Sequence, residues 1–99
     1  MAGGAHAEGT TTEATNVAAH AEGSYSQASG WVSHSEGWGS KATNEYAHAE
    51  NNHTIAKGKS SHAEGVYTIA EGIGAHAEGE YTKSIGHASH AEGLGDKNA

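Results

Sequence analysis

Histidine and glutamate recur along this chain at a fixed interval. A pentad of the form small-His-small-Glu-Gly/Asn, such as Ala19–Gly23, returns every fourteen residues without a slip. Its histidines are His6, His20, His34, His48, His62, His76 and His90. Its glutamates, each two residues later, are Glu8, Glu22, Glu36, Glu50, Glu64, Glu78 and Glu92. Imidazole and carboxylate groups share hydrogen bonds, exchange protons and bind metal ions, so this series is the candidate functional feature.

The repetition itself argues against catalysis. Serine, histidine and glutamate occur together in several pentads, as a hydrolase would require. An active site, however, needs one unique arrangement of groups rather than seven equivalent ones. We therefore predict that the protein is not an enzyme and has no organic cofactor.

Each repeat divides into two halves of seven residues with the same pattern, small-x-Ala-x-Gly-x-x, as in Ser61–Gly65 and Thr68–Gly72. The glycine position of the first half holds Gly9, Gly23, Gly37, Asn51, Gly65, Gly79 and Gly93. That of the second half holds Asn16, Gly30, Asn44, Gly58, Gly72 and Gly86. Glycine and asparagine adopt the left-handed backbone most easily, so each half is predicted to be a short strand that ends in a tight turn.

Small residues alternate with variable ones inside each predicted strand. Alternate residues of a strand point to opposite faces, so the alanine, serine and threonine positions should face inward. Two strands per coil with such small inward residues predict a thin parallel β-roll. Successive coils should stack about 4.8 Å apart and form a rod of roughly 30–35 Å. A core this small usually needs a partner, so an oligomer is expected.

Composition excludes several classes of function. The formal net charge is -7 with only 5 Lys+Arg, so a basic nucleic-acid-binding surface is not expected. There is no cysteine, hence no disulfide and no thiolate metal site. No apolar run is as long as a membrane helix, and we predict no membrane contact within this segment. Residues 1–4 are interpreted as a leader on an excised fragment, and residues 5–99 as one β-roll domain of about seven coils.

The paired heptads over residues 5–98 resemble the head repeats of trimeric autotransporter adhesins of the YadA type. Related repeats occur in phage tail fibres. The resemblance implies a left-handed parallel β-roll and a homotrimer in which the first-half strand of each coil faces the three-fold axis. The two outward residues of that strand are usually aliphatic in the family. Here they are His and Glu, for example His62 and Glu64, so the implied trimer interface is polar.

Three interpretations of the histidine and glutamate series remain open. The first is a solvated face. The second is a buried polar trimer core in which His of one chain bonds Glu of a neighbour, formed by His20, Glu22, His34, Glu36, His48, Glu50, His62, Glu64, His76 and Glu78. The third is metal binding, with one His per chain completing a three-His layer for Zn²⁺ or Ni²⁺ on the axis. That site would use His6, His20, His34, His48, His62, His76 and His90.

The resemblance predicts a structural segment of a trimeric surface fibre, either an adhesin head or a tail fibre. Such a segment would lie at the cell surface or on a virion and display an adhesive surface to a host protein or glycan. The alternative is a stalk module that binds metal or glycan through axial histidines or turn aromatics. The aromatic residues in the links after the turns are Tyr25, Trp31, Trp38, Tyr46, Tyr67 and Tyr81. His53 and His87 fall outside the series and are predicted to be exposed.

Overall fold

Two strands form in every coil because small inward residues alternate with larger outward ones. The computed structural model describes residues 3–95, in which every regular element is a β-strand. First halves give β1 (His6–Thr10), β3 (His20–Ser24), β5 (His34–Trp38), β7 (His48–Asn52), β9 (His62–Val66), β11 (His76–Ala77) and β13 (His90–Ala91). Second halves give β2 (Glu13–Ala14), β4 (Gln27–Ala28), β6 (Lys41–Ala42), β8 (Ile55–Ala56), β10 (Ile69–Ala70) and β12 (Lys83–Ser84).

Each strand pairs in parallel with the strand fourteen residues away. The first halves form a seven-stranded sheet and the second halves a six-stranded sheet, both in coil order. The register is strict, with His6 opposite His20 and Ala70 opposite Ser84. The predicted all-β parallel solenoid of 14-residue coils is therefore confirmed, with about six coils. Its extents are 36 × 25 × 15 Å, close to the predicted length of the rod.

The core between the two sheets is built from very small side chains. Within the described chain, every buried side chain beyond glycine is alanine, serine or threonine. The buried hydroxyls donate to backbone carbonyls, as from Thr54 Oγ1 to the Glu50 oxygen at 3.0 Å and from Ser33 Oγ to the Gly30 oxygen at 2.7 Å. Because these polar groups are satisfied, they can lie in the core at little cost.

The first-half glycine column adopts the predicted left-handed backbone, although it does not end the strands. Gly23 has a φ of 106° and Asn51 one of 85°. Both lie inside five-residue strands, where Gly23 pairs with Gly9 and Gly37. Glycine is also needed for space, since a Cβ on Gly9 would lie 1.9 Å from the Gly23 oxygen. The strand therefore continues through the glycine, and the bend follows it.

For the second-half column the predicted left-handed backbone is wrong. No residue of that column has a positive φ among residues 3–95, and the left-handed residue lies two positions later, as at Val32 with a φ of 57°. Val32 is the third residue of a turn in which Ser33 N–H donates to the Gly30 oxygen at 3.2 Å. Asn44 closes its turn with the same backbone bond, from the Ala47 N–H at 3.2 Å, and its Oδ1 also accepts from the Glu45 N–H at 2.8 Å.

Residues 1 and 2 of the predicted leader and residues 96–99 of the predicted repeat domain lie outside the described residues. Within the described part, no helix is long and apolar enough to cross a membrane.

Candidate functional site

The histidine and glutamate series forms the outer surface of the seven-stranded sheet, here called the His/Glu face. Within β3, Ala21 is fully buried, so its neighbours His20 and Glu22 point outward. In-register pairing then places each histidine beside the next histidine and each glutamate beside the next glutamate. The interior members of the face are half-buried, whereas the end members His6, Glu8, His90 and Glu92 are exposed.

All seven histidine rings lie in one stack. Adjacent ring centroids are 4.6–4.9 Å apart, which is the spacing of the coils. The first pair is tilted by 29°, and the later rings are parallel to within 2–7°. The side chain of His48 remains 35% exposed, so about one third of each interior ring could still contact another molecule.

From His34 onward, the nearest glutamate oxygen belongs to the preceding coil of the same chain. His62 Nε2 lies 3.2 Å from Glu50 Oε1, and His76 Nε2 lies 3.1 Å from Glu64 Oε1. His90 Nε2 lies 3.0 Å from Glu78 Oε1. These partners were predicted in a neighbouring chain, because sequence alone does not show the offset between coils. A ring in each of the last three coils is paired within its own chain.

The first interior coils differ from the last ones. In the described chain, His20, His34 and His48 have a buried Nε2 without a hydrogen-bond partner. The nearest carboxylate oxygens are 3.7–3.9 Å away, for example Glu36 Oε1 at 3.7 Å from His48 Nε2. A buried polar atom without a partner is costly, so these three nitrogens require a further hydrogen-bond partner or a small approach of the carboxylates.

Hydrogen bonding also changes the electrostatics of the face. The pKa of Glu64 is lowered from its ordinary value of 4.5, mainly because His76 donates a hydrogen bond to its carboxylate. Partial burial opposes this shift, and the charge of His62 supports it. The ionised carboxylate of Glu64 is therefore stabilised chiefly by the imidazole of His76.

Within one chain the face is poorly arranged for metal binding. The ligand atoms of His48, Glu50 and His62 lie within 4.8 Å of one another, and other coils repeat this group. Two nitrogens on one zinc ion, with bonds of about 2.0–2.1 Å, can be at most about 4.2 Å apart, whereas the rings of His48 and His62 are stacked with their centroids 4.7 Å apart. The rings of His48 and His62 are parallel to within 7°, so their lone pairs do not converge on a shared ion. The proposed three-His layer would need rings from other chains and stays a prediction.

Aromatic side chains form a second ordered surface. The sequence predicted only that these residues lie in the links after the turns. His87 is exposed as predicted, but the prediction for His53 is wrong because its ring is half-buried between Trp38 and Tyr67. The rings of His53 and Tyr67 are parallel at 4.9 Å, and those of Tyr67 and Tyr81 at 5.3 Å. The signal was present in the sequence, since Tyr25, Gly39, His53, Tyr67 and Tyr81 are also fourteen residues apart.

Comparisons with known proteins identify no relative of this chain. No protein-family model, no curated protein and no solved structure matches the chain.

Proposed function

We propose that this chain is a structural segment of a homotrimeric surface fibre, an adhesin head or a tail fibre, with the His/Glu face turned toward the three-fold axis. In this proposal the roll is left-handed and lies outside the cell or on a virion. Its task is to hold an adhesive surface at a distance from its anchor and to display it to a host protein or glycan.

The observation that carries the proposal is the buried, unpaired Nε2 of three consecutive histidines on an otherwise uniform face. His20, His34 and His48 present these atoms toward Glu oxygens that are too distant for a hydrogen bond in the single chain. These atoms are enclosed by their own chain, so a neighbouring copy would act by packing on the exposed third of the face and holding the glutamates closer to the rings. A partner that repeats every coil fits a second and third copy of the same chain, because only a chain with the same period stays in register.

The opposite sheet supports this orientation. Its outward positions vary without pattern, from Glu13 and Lys41 to Ile55 and Ile69, and they are exposed or half-buried. Variable side chains are typical of a surface in contact with water. The core supports association as well, since a roll filled with alanine, serine and threonine buries little apolar area per residue.

Sedimentation equilibrium of the full chain tests the proposal, and we expect a particle of three times the chain mass. Glu36→Lys places a cation beside His34 and His48 on the proposed axis, so it should dissociate the trimer. Glu71→Lys makes the same charge change on the exposed second-half surface and should leave the trimer intact. A folded monomer at micromolar concentration, or equal behaviour of the two variants, would contradict the proposal.

The second candidate is a stalk module that binds a ligand, and the exposed aromatic surface favours it. The ligand class would be a glycan at the aromatic links or a metal ion held by axial histidines. Metal analysis of protein prepared without an affinity tag separates these two. Zinc or nickel in a ratio near one per three chains would support the axial layer, and metal-free trimers would contradict it.

A further inference from the structure

The aromatic column of the solenoid has one missing side chain. The column consists of Tyr25, Gly39, His53, Tyr67 and Tyr81, one residue per coil. From His53 onward the rings are stacked in parallel. At Gly39 the column has no ring, so Tyr25 is separated from His53 by two coil spacings, or about 9.6 Å. This interruption creates a groove of about 570 Å³ between the two rings.

The groove has an aromatic wall and a backbone floor. Trp38 stands beside the gap with its ring 4.7 Å from that of His53 and nearly perpendicular to it, at 85°. A Cβ on Gly39 would lie only 3.0 Å from His53 Cδ2, so the floor depends on the absence of a side chain. Trp38 is 50% exposed and Tyr25 is 55% exposed. Two large rings therefore present apolar surface to solvent beside an open groove.

Polar groups lie at the edge of the same groove. Gln27 Nε2 donates to Glu13 Oε1 at 2.8 Å, which orients the amide and leaves its oxygen as an acceptor. Lys41 also lines the groove, and its strand neighbours are Gln27 and Ile55. Among the residues that the structure describes, no carboxylate oxygen lies within 4.0 Å of Lys41 Nζ. In a chain with a net charge of -7, this is a local cation without a counter-ion.

We propose that this groove binds one pyranose unit that carries a carboxylate, as part of an acidic glycan. The apolar C–H face of the sugar would pack on Trp38, with Tyr25 on the other side. Lys41 would pair with the carboxylate, and the Gln27 oxygen would accept from a hydroxyl. This inference rests on the proposed display function and names the ligand class of the displayed surface.

Trp38 provides the signal for a direct test in the full chain. The sequence has 2 tryptophans, so Trp31→Ala leaves Trp38 as the single tryptophan, which can be excited at wavelengths where tyrosine does not absorb. We would titrate this protein with matched oligosaccharides that differ only in a carboxylate, bearing glucuronate, galacturonate or sialate against neutral counterparts. We expect saturable changes in Trp38 emission with carboxylated sugars and at least about tenfold weaker binding of neutral ones. Equal binding of both classes, or no binding by any sugar of the panel, overturns the proposal.

Three variants assign the effect to the groove. Lys41→Gln should remove the preference for carboxylated sugars. Gly39→Tyr should fill the gap and abolish binding. It should fold because Tyr25, Tyr67 and Tyr81 already adopt φ values of 56–59° in this column, provided that the His53 side chain shifts by a few tenths of an ångström to admit the new Cβ. Tyr67→Ala removes a ring of the same column outside the groove and should bind like the parent. Circular dichroism of each variant confirms the fold, and binding that survives Gly39→Tyr contradicts the proposed site.

The alternative occupant of the groove is a neighbouring copy of the chain. Acrylamide quenching of Trp38 in the assembled protein distinguishes this case, because a copy in the groove would shield the ring. A shielded Trp38 without sugar binding overturns the glycan proposal and leaves the trimer standing. A monomer that binds carboxylated sugars would contradict the fibre and retain the groove.

Discussion

Ten residues other than glycine share one backbone position in which φ is left-handed. The position recurs every seven residues and is occupied by Thr11, Ala18, Tyr25, Val32, Tyr46, His53, Ser60, Tyr67, Tyr81 and Ala88. Glycine occupies it at Gly4, Gly39 and Gly74. This conformation costs an L residue roughly 1–2 kcal/mol, and a β-branched residue more. It persists because paired strands on both sides of the bend over-determine the chain path.

Val32 and Gly74 allow this cost to be measured in both directions. Val32 is 41% exposed, so Val32→Gly loses little packing and should raise the free energy of unfolding by up to about 1 kcal/mol. Gly74→Val should lower it by about 1–2 kcal/mol. A Cβ on Gly74 has no atom nearer than 4.0 Å, so backbone strain rather than a clash causes the loss. Urea unfolding measures both, and shifts of the same sign would contradict the assignment.

Glu64 should make stability depend on acid pH. Its pKa is held below 4.5 in the folded chain, chiefly by the hydrogen bond from His76. The linked stability is therefore present above the pKa of the unfolded chain and is lost as pH falls through the lower folded-state pKa. His76→Val should be less stable than the parent near neutral pH, and the two stability curves should converge in acid. Chemical unfolding across this range, with exposed His87→Val as the control, measures the effect. Parallel curves would contradict it.

At the scale of the strand, the His/Glu face combines two columns of like side chains. Like charges in register repel each other, so a column of ionised glutamates is unfavourable by itself. Imidazoles bonded to the glutamates of the preceding coil offset that repulsion, as His62 does for Glu50 at 3.2 Å. In the last three coils the hydrogen-bonded unit is thus a histidine and the glutamate twelve residues before it, rather than the two members of one pentad.

Replacement of His62 and Glu50 tests this pairing. His62→Val removes the donor of Glu50, and Glu50→Ile removes the acceptor of His62, so each should cost about 1 kcal/mol. The double variant should cost less than the sum, because an apolar pair strands no polar group. Thr43→Val on the exposed second-half surface is the control and should stay within about 0.5 kcal/mol. Additive single effects in thermal unfolding would show that the two side chains act independently.

At the scale of the whole molecule, each coil contacts only the coils before and after it. Stability in such a solenoid is approximately a sum of coil terms and nearest-neighbour terms. A change in chain length preserves both sheets only if it is a multiple of fourteen residues. A shift of seven residues would exchange the side chains of the two sheets.

Deletion of one whole coil should accordingly be tolerated. Removing residues 48–61 joins Ala47 to His62 and recreates the native Ala75–His76 junction. We expect the same circular dichroism per residue and a lower melting temperature. Removing residues 48–54 instead brings two second halves together and moves every later histidine to the six-stranded sheet. This variant should lose cooperative unfolding, and equal behaviour of the two deletions would contradict the solenoid register.

Much of this architecture can be predicted from the sequence alone, because the same short pattern of small and larger residues recurs in every coil. Ala21 and Ala49 mark inward positions, since among the described residues only alanine, serine and threonine side chains are buried between two sheets so close together. The period of the His48 and Glu50 series implies in-register columns, because parallel pairing of equal coils places like residues side by side. Gly23 has the expected left-handed backbone, which an L residue avoids unless compelled.

Other features depended on how one coil is displaced relative to the next, and only the tertiary structure decided them. The displacement brings His62 to Glu50 of the coil before and leaves His48 Nε2 without a partner. The left-handed bend lies at Val32 rather than at Gly30, where propensity alone would place it. Gly39 forms the floor of a groove because Trp38 and His53 lie around it. Side-chain contacts between coils are set by packing in three dimensions, which a periodic sequence pattern does not specify.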